Sequence, residues 1–321
     1  MTRGDRLPPA ARAILDGDRR ALARVISQVE DQDPAADAVA RALYPKTGRA
    51  AVIGVTGPLG VGKSSLINLL VGQLRDAGTT VAVVAVDPSS PFTGGSVLGD
   101  RIRFERRSDD VGVFFRSMAS RGELGGIAAR TRQVARLMDA AGFDVVLVET
   151  VGSGQVDLAI RDVASTSVVV LVPHLGDEVQ TLKAGLFEIA DVFCVNKSDL
   201  PGADLARKDL AELVSLGAAR SAWTPKVVLT STTQPSGVDA LWTAISDHEK
   251  FLDTSGRRAV EERRRLSVEI VELVRERVGR DLAERLDHDP DLRGLLDEVV
   301  TRKIDPSLAA DRLERGPPAR R

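Results

Sequence analysis

The stretch Ala51-Val52-Ile53-Gly54-Val55-Thr56, followed by Gly57-Pro58-Leu59-Gly60-Val61-Gly62-Lys63-Ser64-Ser65, decides the fold. An apolar, β-branched run gives way to a glycine-rich segment and then to helix-forming residues, so the expected order is strand, loop, helix. Read as G-x-x-x-x-G-K-S, the loop can turn its backbone N–H groups inward around an anion. The helix behind it presents its positive end to the same anion. A nucleotide's phosphates are the implied ligand: Gly57 to Ser65 cradle them, Lys63 reaches the β- and γ-phosphates, and the Ser64 hydroxyl goes to Mg²⁺.

Working outward, six further apolar runs follow at Val81–Val86, Val111–Phe115, Val145–Glu149, Ser167–Val172, Asp191–Asn196 and Lys226–Thr230. Most are continuous rather than alternating, as strands covered on both faces must be. Helical patterns lie between them at Lys63–Arg75, Gly126–Ala141 and Asp204–Leu216. This βαβα order predicts an α/β fold of the P-loop NTPase type, with a mainly parallel, doubly wound sheet.

Helical extensions flank that sheet. Before it, Leu22, Val25, Ile26 and Val29 make one apolar stripe at i, i+3, i+4 and i+7, and Tyr44-Pro45-Lys46-Thr47-Gly48 ends the pattern. After it, Arg257–Leu286 carries Leu266, Ile270, Leu273 and Val274 at helical spacing, with shorter helices expected at Asp291–Arg302 and Ser307–Leu313. The expected domains are therefore an N-terminal helical extension (1–47), a nucleotide-binding domain (48–252) and a C-terminal helical region (253–321).

Lys and Arg (44) nearly cancel Asp and Glu (46), leaving a net charge of −2. Such a balance offers no general attraction for nucleic acid or an anionic membrane, so neither is expected as a partner. No apolar run reaches the ~20 residues that span a bilayer. One cysteine, Cys194, and three scattered histidines, His174, His248 and His288, make no metal-ligand spacing. A reducing, cytoplasmic setting is expected.

Two further groups of residues carry chemistry. The run at Asp191–Val195 leads into Asn196-Lys197-Ser198-Asp199, an N-K-x-D loop. A carboxylate at Asp199 accepts from the ring N–H and exocyclic amine of guanine, whereas adenine would leave it desolvated and unpaired. Sites of that kind discriminate by roughly 10⁴-fold. Lys197 can cover the base, Asn196 can tie this loop to the phosphate loop, and the backbone of Ser231-Thr232-Thr233 can meet the guanine carbonyl. Asp87, Asp100 and Glu149 are the candidate acids for Mg²⁺ or the attacking water, since carboxylates at the C-terminal ends of parallel strands face the ligand crevice. Glycine-rich loops after Asp87 and Glu149, including Gly152 and Gly154, suit switches that a γ-phosphate orders. Arg116 and Arg121 are further candidates to reach phosphate or a partner.

At these motifs the chain resembles the MeaB/ArgK/MMAA family of P-loop GTPases. The resemblance rests on Val86–Ser90, Thr93-Gly94-Gly95-Ser96-Val97-Leu98-Gly99-Asp100, Arg121–Gly126, Ala141–Asp144, Glu149-Thr150-Val151-Gly152, Gly176-Asp177-Glu178-Val179-Gln180 and Asn196–Asp199. It implies a GTPase, using GTP/GDP and Mg²⁺, that acts as chaperone and switch for an adenosylcobalamin-dependent acyl-CoA mutase, chiefly methylmalonyl-CoA mutase. Members gate cofactor loading, protect or reactivate the mutase, and are typically homodimers through C-terminal helices. By resemblance, Ser64, Asp87, Asp100 and Glu149 surround Mg²⁺, with Lys63, Glu149, Asp100 and Lys183 in catalysis. Gly152, Gln155, Asp177, Glu178 and Gln180 belong to switches, Gln180 and Lys183 coupling hydrolysis to the partner. Two stretches depart from the family pattern, Ser153-Gly154-Gln155-Val156-Asp157 and Pro173-His174-Leu175-Gly176. The competing classes are an ATP-using kinase of the ArgK type, a nickel-delivery GTPase and a scaffold with structural nucleotide. They are separated by GTP-versus-ATP affinity, metal titration and single-turnover hydrolysis.

Overall fold

Strands apolar on both faces are stable only where helices cover both sides of their sheet. The computed structural model, which describes residues 7–87, 110–119, 126–150, 155–173, 185–217 and 222–314, places them in such a sheet. Among the described residues the strands are β1 (Ala51–Thr56), β2 (Val81–Asp87), β3 (Val113–Ala119), β4 (Val145–Thr150), β5 (Thr166–Leu171), β6 (Val192–Val195) and β7 (Lys226–Leu229). They form one sheet in the order β3-β2-β4-β1-β5-β6-β7. Every pairing is parallel, so the expected "mainly parallel" sheet is wholly so among the described strands.

Among the described residues three α-helices precede the sheet, α1 (Pro9–Leu15), α2 (Arg19–Glu30) and α3 (Pro34–Leu43). The connecting helices are α4 (Lys63–Asp76), α5 (Gly126–Ala140), α6 (Gln155–Val163), α7 (Gly185–Ile189) and α8 (Ala203–Gly217). Then come α9 (Val238–Thr254), α10 (Arg257–His288), α11 (Pro290–Val300) and α12 (Pro306–Glu314). This is a P-loop NTPase architecture.

The pleat sorts the apolar runs onto two cores. Val84 and Val86 of β2 with Val146 and Val148 of β4 face one side, together with Leu22, Val25, Ile26 and Val29 of α2. Val81 and Val83 with Val145 and Leu147 face the other, against Leu66, Ile67, Leu70 and Leu74 of α4. The stripe on α2 is thus fully buried, between the neighbouring helices and that face of the sheet. Truncating one of the buried leucines of α4 to Ala costs on the order of 2–5 kcal/mol.

One strand is displaced from its expected position. Val111 and Gly112 form a turn and β3 begins at Val113. Asp110 accounts for this: its Oδ1 accepts from the Gly112 amide at 2.7 Å, and its carboxylate takes both Nε and a terminal nitrogen of Arg75 at 2.9 and 3.0 Å. Val111 is left 82% exposed, so an apolar residue that looks like strand serves as a turn.

The chain divides into two units, Met1–Leu266 and Ser267–Arg321. In the second, Asp305 caps α12 by accepting from the Ser307 and Leu308 amides at 2.8 and 3.0 Å, and Arg312 pairs with Glu298 at 2.8 Å. Ile270, Val271, Val274 and Val278 of α10 are exposed at positions that share a helical face.

Candidate functional site

Strand order reverses at β1. The chain leaves it toward β2 and β3, returns to insert β4 beside it, then proceeds to β5, β6 and β7 on the other side. A crevice therefore opens at the C-terminal ends of β4, β1 and β5, the usual ligand position in such sheets.

The loop after β1 fills the head of that crevice. Gly62, directly before α4, has φ of 95°, a backbone that favours glycine. A β-carbon there would stand 2.5 Å from Asn196 Nδ2, and one on Gly57 would stand 2.1 Å from the Val170 carbonyl oxygen. Both positions exclude side chains for two independent reasons. Lys63 opens α4, is only 6% exposed, and donates to the carbonyl oxygens of Gly57 and Pro58 at 2.7 and 2.9 Å. Its ammonium is thus held over the loop that would take the phosphates. Leu59 points outward and Val61 inward, the latter contributing its carbonyl rather than its side chain. Gly60 and Ser65 complete the turn and the first helical positions.

Ser64 Oγ donates to Glu149 Oε1 at 2.6 Å. Glu149 lies near the C-terminal end of β4 and is 4% exposed. A hydroxyl from the head of α4 and a carboxylate from β4 therefore converge across 85 positions of sequence. Two hard oxygens match the few that Mg²⁺ takes from a protein, so the donor set fits the ion that the sequence implies. A hydroxyl bond at 2.8 Å from Thr150 to Thr56 fastens β4 to β1 beside it.

The loop after β6 is built from the same crevice edge. Asn196 is wholly buried; its Nδ2 donates to the Val61 carbonyl at 2.7 Å and its Oδ1 accepts from Thr230 Oγ1 at 3.2 Å. Lys197 takes a left-handed backbone, φ 57°, which turns the chain out of the strand. Asp199 then accepts from the Ser231 hydroxyl. The Ser231 amide is already given to the Ser236 carbonyl at 3.1 Å, leaving those of Thr232 and Thr233 to meet a base. The Thr232 hydroxyl stands 3.9 Å from where a β-carbon on Gly62 would be, so this loop abuts the phosphate loop.

Gly57, Lys63, Ser64, Glu149, Asn196, Asp199, Ser231 and Thr232 are thus gathered at one edge of the sheet. Asp87 is the last residue of β2 and Gln155 the first of α6. Asp100, Gly152, Asp177, Glu178, Gln180 and Lys183 lie outside the described residues, as do Arg121, Gly154 and His174. Arg116 is not directed at this edge: its guanidinium bonds Ser27 Oγ at 3.0 Å and pairs with Glu30, both on α2. Its place in β3 aims it at the N-terminal helices.

Comparison with known proteins matches the family described as methylmalonyl Co-A mutase-associated GTPase MeaB over residues 22–287. The chain belongs to the MeaB family. It is accordingly a P-loop GTPase that binds guanine nucleotide. A Pyrococcus horikoshii chain carried under a GTPase name is 44% identical over 298 residues, covering 92% of this chain and 93% of the relative. The GTPase ArgK of Escherichia coli is 36% identical over 261 residues, covering 78% of each. A solved LAO/AO transport system kinase superposes with TM-score 0.70 at 27% identity, covering 98% of both chains.

Sequence reading missed Thr230. Its hydroxyl fixes the Asn196 amide, and it sits 3.1 Å from Cys194 Sγ. Burial pushes the Cys194 thiol up to about 12, so the sulfur stays neutral in this chain of bonds. The usable signal was register: pairing Val195 with Leu229 sets Thr230 opposite Asn196.

Proposed function

We propose that this MeaB-family GTPase is a Mg²⁺-dependent switch that chaperones an adenosylcobalamin-dependent acyl-CoA mutase, methylmalonyl-CoA mutase in the first instance. It would gate cofactor loading and protect or reactivate the mutase. The family description supports the client; the Asn196–Val61 bond supports the switch, because it makes the base-reading and phosphate loops one mechanical unit.

In this scheme water attacks the γ-phosphate in line. Lys63 exchanges its bonds to the Gly57 and Pro58 carbonyls for β- and γ-phosphate oxygens, and the loop amides take the remaining charge that develops. Ser64 and Glu149 would hold the metal, with Asp87 and Asp100 as further acids. Bound there, Mg²⁺ supplies charge neutralisation to the phosphates. Asp199 reads the guanine edge, with Lys197 over the base and the Thr232 region at its carbonyl. Lys183 and the Gly152–Gln155 and Asp177–Gln180 segments would carry the state of the γ-phosphate to the client. A homodimer through the exposed Ile270–Val278 face of α10 completes the assembly, since that face is apolar and otherwise meets water.

The deciding experiment measures GTP hydrolysis by the full chain with and without the mutase purified from the same host. A rate that rises several-fold with mutase, together with co-elution, supports the proposal. An unchanged rate and no co-elution in GDP or a non-hydrolysable GTP analogue would overturn the client assignment.

A further inference from the structure

A second cavity, of 390 Å³, lies at the opposite edge of the sheet, under the N-terminal ends of β5 and β6. Asp191 opens into it directly before β6, whereas Asn196 directly follows that strand. Five residues of extended chain put roughly 16 Å between the two edges. The cavity's volume lies within the range of small-molecule sites. Its wall is aromatic: the ring of Trp223 stands 4.9 Å from that of His248 and 5.1 Å from that of Phe251.

A polar string runs behind the cavity and reaches it through Ser165, His248 and Asp191. Glu249 accepts from Ser165 at 2.6 Å, Thr166 at 2.5 Å and Arg258 at 2.9 Å. Since Thr166 spends its one hydroxyl proton on Glu249, it can only accept from His248 Nδ1, 2.8 Å away. The neutral ring therefore carries its hydrogen on Nδ1 and turns a lone pair, Nε2, toward Asp191 Oδ1 at 3.3 Å. Asp191 Oδ2 already accepts from the Ser167 amide at 2.8 Å. A carboxylate facing a lone pair is repulsive, so Asp191 and His248 share a single proton. Burial agrees, pushing the Asp191 carboxyl up to about 7 and the His248 ring down to about 4. Once that proton leaves, Oδ1 of a side chain still 29% accessible faces no donor among the described residues.

Among the described residues the surrounding charge does not supply one. Arg264 is spent on Asp162 and Glu261, and Arg265 on Glu262 and the Ala164 carbonyl. Arg161 bonds the Glu188 carbonyl, and Arg257 stands exposed at the rim, where solvent screens it. The carboxylates of Glu249 and Glu261 oppose ionisation of Asp191, which the Arg161 guanidinium favours.

We infer that this cavity binds an organic ammonium ion on an apolar or aromatic body, its N–H groups on Asp191 and its body against Trp223 and Phe251. The cation takes the place of the proton shared with His248, and the aromatic faces add cation–π attraction.

The test uses the whole chain, Trp223 fluorescence and three probes of one shape: phenethylamine, phenethyl alcohol and 3-phenylpropionate. Saturable binding by phenethylamine alone, or by it most tightly, is expected. Its affinity should rise about tenfold from pH 6 to pH 8, as the competing proton leaves while the amine stays charged. Asp191→Asn, which keeps an acceptor for the Ser167 amide, should remove the preference for the amine, and Trp223→Phe should remove the signal. Equal affinity for the alcohol, tighter binding of the propionate, or no binding by any probe to the native chain would overturn the inference.

Discussion

The two edges of the sheet solve the same problem with different materials. At the C-terminal edge the ligand would be met largely by backbone, in a loop where Gly57 and Gly62 leave no room for a β-carbon. At the N-terminal edge the polar atoms belong to side chains, Asp191, His248, Thr166 and Glu249, drawn from elements far apart in sequence. Backbone amides are fixed charges that burial cannot neutralise. Side-chain acids and bases can answer burial by exchanging a proton, so a pH response is expected of Asp191 and His248 at that edge.

The largest effect that would break this contrast is at Lys63. Lys63→Ala should lower GTP turnover by about 10²–10³-fold or more, measured under single-turnover conditions. Turnover near the native rate would mean that the ammonium held over Gly57 and Pro58 takes no part.

Asp199→Asn comes next. The amide keeps an oxygen to accept from Ser231, so the loop stays folded while the base-reading charge is removed. Affinity should shift from GTP toward xanthosine triphosphate by about 10²–10⁴-fold, the scale set by one stranded buried polar group. Paired calorimetric titrations with the two nucleotides check it, and an unchanged ratio removes Asp199 from the base.

Gly62→Ala should cost less. The left-handed backbone penalises alanine by roughly 1–2 kcal/mol, and the new methyl would stand 2.5 Å from the Asn196 amide, displacing its bond to Val61. We expect about tenfold weaker nucleotide binding with a smaller change in turnover of the bound complex. Equal losses in both would show that the glycine serves chemistry rather than loop geometry.

How legible each edge was follows from this difference in materials. The phosphate and base loops are contiguous strings whose spacing is dictated by local backbone geometry, so residues 57–65 and 196–199 could be placed from sequence. The strand pattern likewise predicted a parallel sheet, because burial on both faces leaves β-branched runs. The start of β3 could not be read, since Val111 looks like strand and the Asp110–Arg75 fork that ends the turn spans 35 positions. His248 read as one of three scattered histidines. Its partners, Thr166 and Asp191, lie 82 and 57 positions away and meet it only through parallel pairing of β5 with β6.

The smallest effect tests the shared proton itself. Between about pH 4 and 6.5 folded Asp191 keeps a proton that its unfolded carboxyl has lost, while unfolded His248 keeps one that the folded ring has lost. The two counts cancel, so this pair should leave native stability nearly flat across that window. Above it, unfolded His248 is neutral while folded Asp191 holds its proton to about 7, and stability should decline slightly. Asp191→Asn removes one side of the balance. Burial still depresses the His248 ring, so the variant's stability should be full above pH 6.5 and fall as pH drops toward 4, by up to about 1.4 kcal/mol per pH unit. Urea midpoints at pH 7, 6 and 5 measure the divergence. Parallel curves for native chain and variant would mean that no proton is shared, and the two edges would then differ in residue type but not in how they respond to pH.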